Sequence, residues 1–448
     1  MEKGKLLRIK GRGEVISLGI GQTGTNCLFS FYDEIAKEHN IINGGENLNA
    51  RDYNVIDMPN LYFSDNKKPR AIVVDSDSAV LKQLQDSAVG KLMVPTNMIN
   101  LKGSSEGNYG FYNSETGRSM VEKTLEAVRK ESEKCDYLSN FQIFHNIGGG
   151  VGSGVASEIL KRLMPEYGKK MKVSHSIIPL IDDKTDPAII CNSMLSINNL
   201  VEYTDFSNLI SNESITNYCQ SLNLNFDKNK FIEHNKIIGR MVADLTAPQR
   251  FKGSEFSSFS KIHNILVPYP RIHFLTSYIT QATQESTGRL LFLNLFKNTS
   301  CLSGNDHRHG KFLANYSVFR GLFKQNLINE AGNKIHTSRE FQFCDYADSN
   351  LFNHVKVSNT SGESAINISN GTSVAEIFSK INHNFDLLYG EEISPERKKK
   401  LDSYKEKFVK KFASEEGIFS EARENLAAVE KDYEEIGMET GNGEEEEQ

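Results

Sequence analysis

The sequence predicts an α/β fold, a parallel sheet covered by helices, and three features predict it. Short apolar runs alternate with helical spacing along the first half of the chain. Each run ends in polar or glycine residues and leads directly into a helical pattern. Two of those ends are glycine-rich, and ligands of such sheets bind outside the carboxyl ends of the strands.

The elements follow in order. Val15–Leu18 reads as a buried strand, followed by a glycine turn and a helix through Cys27–Ala36. Asn40–Lys68 is rich in Asn, Asp and Gly and reads as a long loop. Ala71–Val74 is a second strand, and Phe141–His145 a third, with helical spacing over Val155–Met164. Phe231–Thr246 predicts a long helix. After Gly253 the texture changes: Val267-Pro268-Tyr269-Pro270 forms a rigid connector, and Ile272–Phe274 opens a second region of strands and helices. Ile393–Glu435 is highly charged with helical spacing, and Gly441–Gln448 is of low complexity and expected to be disordered.

A chain of 448 residues has length for two or three domains and ample core. Its 52 Lys+Arg and 58 Asp+Glu give a net charge of −6, unevenly spread. From Ala413 to Gln448 there are 13 acids and 2 bases, a net of −11, so the remainder carries +5. Such tails are usually solvated interaction segments, and so small a positive excess argues against a nucleic-acid binder. No stretch approaches the ~18 apolar residues of a membrane span. The N-terminus is basic without the apolar run of a signal peptide. Cys27, Cys135, Cys191, Cys219, Cys301 and Cys344 are scattered without a CxxC, which predicts reduced cytosolic thiols, not disulfides or a zinc site.

Two glycine loops carry the chemistry. Gly19-Ile20-Gly21-Gln22-Thr23-Gly24 follows the first strand and opens a helix, matching GxGxxG. Such a turn brings backbone close to phosphate at a helix N-terminus, although the same residues also suit a plain tight turn. A dinucleotide site would need an acid ~20 residues on, ending a second strand. Here that region is the polar loop around Ile41–Asn49, which disfavours NAD. Gly148-Gly149-Gly150-Val151-Gly152-Ser153-Gly154 is more specific. Five of its seven residues lack side chains, and it lies between a buried strand and an amphipathic helix. Its amides can converge on phosphate oxygens with the helix dipole behind them. It is not a Walker A loop, because no Gly-Lys-Ser/Thr follows.

GGGVGSG resembles the GGGTGSG signature of the tubulin and FtsZ superfamily, and the resemblance covers nearly the whole chain. Leu266–Phe274 (LVPYPRIHF), Asp306–Lys311 (DHRHGK) and Ser369–Phe378 (SNGTSVAEIF) resemble tubulin segments in the expected order. Phe419–Gly437 resembles the C-terminal helix of α-tubulin, and Tyr269 with Ile272 also favours α over β. The chain thus resembles a divergent α-tubulin-like protein. The resemblance implies a tubulin/FtsZ-like architecture: a Rossmann-like GTPase domain (12–230), a central helix and connector (231–261), an α+β intermediate domain (262–390), C-terminal helices (391–437) and an acidic tail (438–448).

It also implies GTP and Mg2+ as cofactors and head-to-tail assembly with a β-tubulin-type partner. Carried over by position, Gln22 and Thr23 lie by the phosphates, with Gly149, Gly150 and Gly152 in the cradle. Asn26 stands near the base, in place of a family Gln. Asp77 replaces a Glu that approaches the magnesium. Asn212 and Asn235 match asparagines that read the guanine edge, Phe231 replaces a tyrosine that stacks on the base, and Thr185 matches a threonine near ribose and phosphates. Val151 replaces a threonine that contacts phosphate, Asn146 a serine beside the loop, and Ser104 an aspartate in the loop that senses the γ-phosphate. The ribose acid falls on Ile189 without gaps, or on Asp186 with a short insertion. Losing one charge-assisted hydrogen bond costs ~1.5–3 kcal/mol, so several such changes predict weak GTP binding.

The acidic position by which α-tubulin promotes hydrolysis in the next subunit falls on Lys261, and a nearby family aspartate on Ser258. An ammonium cannot act as a general base, so this subunit is expected not to stimulate hydrolysis. A local shift in alignment would instead bring Glu255 into place. The segment Leu275–Asn305 is shorter than in α-tubulins, Val355–Ile368 lacks the longer α-type loop, and Glu391–Tyr404 adds a charged insertion whose basic run Arg397–Lys400 reads as a solvated helix face. These changes predict altered lateral packing. The implied function is a GTP-binding subunit of microtubules or a specialised tubulin polymer. The alternatives are a non-polymerising protein that caps or sequesters a β-type partner, and an autonomous nucleotide hydrolase. Glu444–Glu447 would lie on the polymer surface, available to motors or basic associated proteins. The loop Asn40–Lys68 lacks a clear acetylation site, and the terminal glutamine predicts no detyrosination cycle. His307, Arg308 and His309 lack the third ligand a metal site needs.

Overall fold

In the computed structural model, the described residues are 13–42, 58–182, 184–222, 231–251, 258–281, 288–321, 325–337, 341–344, 352–357, 364–390, 393–415 and 417–438. The tail beyond 438, Glu255 and part of the loop at 40–68 lie outside them.

The first half runs β1 (Glu14–Ile20), α1 (Gly21–Glu38), β2 (Ala71–Asp75), α2 (Ser78–Gln85), β3 (Met98–Asn100), α3 (Glu115–Glu133), β4 (Leu138–Asn146), α4 (Ala156–Glu166), β5 (Met171–Ile178), α5 (Pro187–Tyr203), β6 (Phe206–Ser211) and α6 (Asn212–Ser221). The second half runs α7 (Ile232–Arg250), α8 (Phe259–Leu266), β7 (Phe274–Gln281), α9 (Gly288–Leu295), β8 (Phe312–Arg320), α10 (Gln325–Thr337), β9 (Phe352–Val357), β10 (Ser364–Gly371), α11 (Ala375–Leu387), α12 (Pro395–Glu406) and α13 (Ile418–Met438).

The strands form one sheet in the order β3-β2-β1-β4-β5-β6-β7-β10-β8-β9. From β3 to β7 every pairing is parallel, with Ile20 opposite both Val74 and His145. That register aligns the carboxyl ends of β1, β2 and β4, where the two glycine loops emerge. β10 pairs antiparallel with β7 and β8, giving the second half its mixed character. The interior strands are buried on both faces, β2 along its full length, as a sheet covered on both sides requires.

Two elements exceed their predicted bounds. α1 begins directly at Gly21, because Gly21 (φ +72°) turns the chain within one residue of the strand end. α7 continues through Pro248 to Arg250, beyond Thr246. It is held against α1 by a close approach: a Cβ at Gly239 would lie 2.6 Å from the Ser30 carbonyl carbon. The segment expected to be an insertion folds as α12, capped by Ser394 with Pro395 in the first turn. α12, the turn Lys407–Lys411 that continues it, and α13 pack Leu401, Tyr404, Phe408 and Phe419 into the core of the first half. All six cysteines are free, five of them buried. Among the described residues no helix is long and apolar enough to cross a membrane.

Candidate functional site

A cleft of about 420 Å³ opens where β1, β2 and β4 end, lined by Gly21, Gln22, Thr23, Asp75, Asp77, Ser105, Asn146 and the loop Gly148–Gly152, with Pro179 and Ile189 on one side. The two glycine loops meet there. A Cβ at Gly21 would lie 3.0 Å from the Gly152 nitrogen, and one at Gly152 would lie 2.8 Å from the Asn146 carbonyl oxygen. Neither position has space for a side chain, so the loops approach through backbone.

The helix termini facing the cleft are built for an anion. α1 starts without a side-chain cap and without an acid in its first turn. The turn Val151–Val155, a wide π-helical turn leading into α4, likewise has no cap and no acid. Isolated helices gain about 1 kcal/mol from such caps. Leaving two adjacent N-termini without them provides amides and positive dipole ends for an external anion. Asn146 steadies the loop by accepting from the Gly148 amide at 2.7 Å. His145 braces it from beneath, with Nδ1 2.9 Å from the Gly152 carbonyl and Nε2 2.8 Å from the Ser176 hydroxyl. Burial pushes His145 down to about 4, so the ring is neutral at physiological pH.

Asp75 belongs to this cleft although no sequence motif singles it out. It ends β2, is only 4% exposed, and its Oδ1 accepts from the Asp77 amide at 3.3 Å while Oδ2 has no hydrogen-bond partner among the described residues. Burial pushes its carboxyl up to about 6, against the opposing pull of the Asp77 and Ser76 amides. The signal that could have found it is its place at the carboxyl end of a buried strand. Asp77 lines the same cleft while capping α2 through the Ala79 amide at 2.8 Å.

The expected site residues thus divide into groups. Gln22, Thr23, Asp77, Asn146, Gly149, Gly150, Val151 and Gly152 share the cleft. Asn26, Asn212 and Asn235, on α1, α6 and α7, and Phe231, just before α7, do not line it. These helices are joined by Cys27 Sγ donating to Asn235 Oδ1 (3.4 Å) and by Thr216 Oγ1, which donates to the Asn212 carbonyl (2.9 Å) and meets His234 Nε2 (2.8 Å). Phe231 precedes α7 in the left-handed region (φ +49°) and is 45% exposed. A large residue held so is a conformation that recurs at functional sites. Thr185 is elsewhere: its hydroxyl bonds Asp182 Oδ1 at 2.9 Å and the Leu180 carbonyl at 3.3 Å. Asp186 caps α5 through the Ala188 amide at 3.0 Å and pairs with Lys400 at 3.4 Å, whereas Ile189 lines the cleft.

Lys261 lies outside the cleft, exposed in the first turn of α8, where its amide donates to the capping Ser258 hydroxyl at 3.2 Å. His307 stacks between Phe312 and Phe341, Arg308 pairs with Asp306, and His309 pairs with Glu376, so this run is engaged in packing and ion pairs.

Comparison with known proteins accords with this geometry. Residues 14–220 match the model of the Tubulin/FtsZ family, GTPase domain, and residues 270–383 that of the Tubulin C-terminal domain. The chain is 33% identical to the tubulin alpha-1B chain of Physarum polycephalum, over 97% of this chain and 99% of that one. With two glycine loops converging on one anion-ready cleft and both halves of the chain matched, the protein belongs to the tubulin family, as a divergent α-tubulin-like member.

Proposed function

We propose that the chain is a GTP-binding cytoskeletal subunit that pairs with a β-tubulin-type partner in microtubules or a specialised tubulin polymer of the cytoplasm. In this reading it does not stimulate hydrolysis of its neighbour's nucleotide. The observation that carries the nucleotide reading is the cleft, where two uncapped helix N-termini and two side-chain-free loops face one space.

Magnesium fits the same space. Asp75 leaves a buried carboxylate oxygen without a hydrogen-bond partner among the described residues, and Asp77 stands beside it. Among the described residues no group of three or more His, Cys, Asp or Glu side chains is assembled, so these residues supply no complete cage. One or two carboxylates completed by phosphate oxygens and water is the ordinary arrangement for this ion. Asp75 and Asp77 would hold it, and its charge would offset that of the phosphates. Asn26, Asn212, Phe231 and Asn235, gathered around the start of α7, would take the base.

Lys261 supports the reading of a non-stimulating subunit. Its exposed place on α8, away from the cleft of its own chain, suits contact with a neighbour, and an ammonium cannot accept the proton of an attacking water. The acidic segment beyond 438 would serve motors or basic associated proteins. A second reading, a cap or sequestering partner for a β-type subunit, would be favoured by the shorter segment Leu275–Asn305 that the resemblance implies. Co-assembly with purified β-tubulin and GTP, viewed by electron microscopy, separates the two. Filaments containing the chain support the subunit reading, discrete one-to-one complexes support the cap, and absence of any complex overturns both. Nucleotide analysis of the gently purified chain tests the cleft independently.

A further inference from the structure

α12 and its continuation to Lys411 do more than cover the core. Between Pro395 and Lys411 the sequence carries eight Lys and Arg against three Asp and Glu, the composition of a solvated basic face. Four of these cations nonetheless reach loops next to Ser105 and Ile189, which line the phosphate cleft. Arg397 Nη2 donates to the Thr185 carbonyl at 3.2 Å, and Lys400 pairs with Asp186 at 3.4 Å. Lys407 pairs with Glu106 at 2.7 Å, and Lys411 with the same carboxylate.

Between these exposed pairs lies a buried one. The Tyr404 hydroxyl donates to Asn192 Oδ1 at 2.8 Å, and the Asn108 amide group donates to the Tyr404 carbonyl at 3.1 Å. Asn192 is fully buried and its Nδ2 donates both to the Gly107 carbonyl (2.8 Å) and to the Gly148 carbonyl (2.9 Å). Gly148 opens the glycine loop. Ser105, which lines the cleft, sits so close to that loop that a Cβ at Gly150 would be 2.8 Å from it. One segment therefore holds the chain just beside two cleft-lining residues, Ser105 and Ile189, and, through a single asparagine, the glycine loop itself.

We propose that residues 394–411 form a strap that holds the loops around the phosphate cleft, with Tyr404 on Asn192 as its buried pin and Lys400, Lys407 and Lys411 as ionic fasteners, and that the strap sets how fast nucleotide leaves. This inference rests on the nucleotide reading of the cleft. In this proposal ligand release requires these loops to shift, and removing any one of these bonds lowers that barrier. A neutral buried hydrogen bond is worth about fivefold in rate, and exposed ion pairs less than that each.

The test is release of fluorescent mant-GDP from the full-length chain, chased with excess GTP, at low and moderate salt. Tyr404→Phe, which keeps the packed ring, is expected to speed release about fivefold. Lys400→Ala/Lys407→Ala/Lys411→Ala is expected to speed release and to flatten its dependence on salt, while the triple Lys→Arg variant restores both, a signature that mere loss of stability does not give. Wild-type release rates and salt dependence in both Tyr404→Phe and the triple alanine variant overturn the strap. A wild-type chain that takes up no mant-GDP fails the nucleotide reading instead. Hydrogen exchange at Ser105–Asn108 then decides the strap alone: faster exchange in Tyr404→Phe supports it, and unchanged exchange overturns it.

Discussion

Glu38 of α1 lies 2.7 Å from Arg320 at the end of β8, both buried, joining the first half of the chain to the second. Arg250 reaches the same carboxylate at 2.6 Å, and Asp244 of the long helix α7 pairs with Arg320 and, at 3.1 Å, with Arg240. Burial alone would push Glu38 upward, yet the Arg320 and Arg250 guanidiniums hold its carboxyl at about 2. Breaking such a buried pair leaves an uncompensated charge, so Glu38→Ala or Arg320→Leu is expected to cost about 3–5 kcal/mol in urea unfolding. The carboxylate's contribution is present above its unfolded value near 4.5 and is lost as pH falls toward 2. Wild-type urea midpoints in both variants would contradict the role given to this pair.

Asp75 gives the opposite sign. Its folded carboxyl titrates near 6 instead of 3.8, so the folded chain holds its proton more tightly than the unfolded chain. Stability therefore falls as pH rises between those values, by about 3 kcal/mol in all. A divalent cation binds the deprotonated form and relieves that cost. Magnesium without nucleotide is expected to raise the thermal midpoint at pH ~7.5 but not at pH ~5. Asp75→Asn is expected to raise the midpoint in EDTA at the higher pH and to abolish the magnesium shift. A magnesium shift that persists in Asp75→Asn would place the cation elsewhere.

Two buried histidines of the central strands, His145 under the glycine loop and His175 on β5, set an acid limit. Burial pushes His145 down to about 4 and His175 to about 3, the latter also disfavoured by His145. Both rings are neutral when folded and take up protons on unfolding. Their contribution is complete above about 6.5 and is lost as pH falls toward 4 and 3, with roughly 3 kcal/mol at stake for His145. His145→Gln retains a hydrogen-bonding side chain but cannot titrate. It is expected to flatten the decline of the thermal midpoint between pH ~6.5 and ~4, where an unchanged slope would assign the acid sensitivity to other groups.

The glycine loops and the strands that feed them were legible because both are local. β1, β2 and β4 declare themselves as apolar runs, and glycine needs no partner to signal backbone approach. Charge is less legible. A lone acid ending a strand looks the same in sequence whether exposed or, like Asp75, buried without a partner for one oxygen among the described residues. The basic run Arg397–Lys400 is largely solvated, as its composition reads, but composition does not reveal that Arg397 reaches the Thr185 carbonyl and Lys400 pairs with Asp186. Thr185 shows the converse, since its hydroxyl is consumed locally by Asp182. Glu38, Asp244 and Arg320 are far apart in sequence, and only the packing of α1, α7 and β8 makes them a cluster.

The glycine loop separates folding from binding. A Cβ at Gly149 meets nothing within 4 Å, whereas one at Gly154 would lie 1.9 Å from the Tyr109 carbonyl oxygen. Gly149→Ala should therefore fold as the wild type does, with an unchanged thermal midpoint, while its methyl group intrudes on a ligand held by the loop. GTP affinity measured by calorimetry is expected to fall about tenfold or more. Gly154→Ala should instead lower the midpoint, because backbone must move to admit the methyl group. Wild-type affinity in Gly149→Ala would remove phosphate from this loop.

Lys261 offers the sharpest test of the hydrolysis reading. It stands in the first turn of α8, behind the capping Ser258, so a carboxylate there would also suit the helix dipole and should not disturb the fold. A positioned general base contributes about 10²–10⁴ to a hydrolytic rate, and the ammonium contributes none of it. In co-assembly with β-tubulin and GTP, the wild-type chain is expected to release little phosphate. Lys261→Glu is expected to raise release at least tenfold, with Lys261→Gln close to wild type, since the amide lacks the proton-accepting oxygen pair of a carboxylate. If all three release phosphate equally fast, the residue has no part in the step. If the wild type alone turns over briskly, the acid lies elsewhere on the subunit, and Glu255 is the next position to replace.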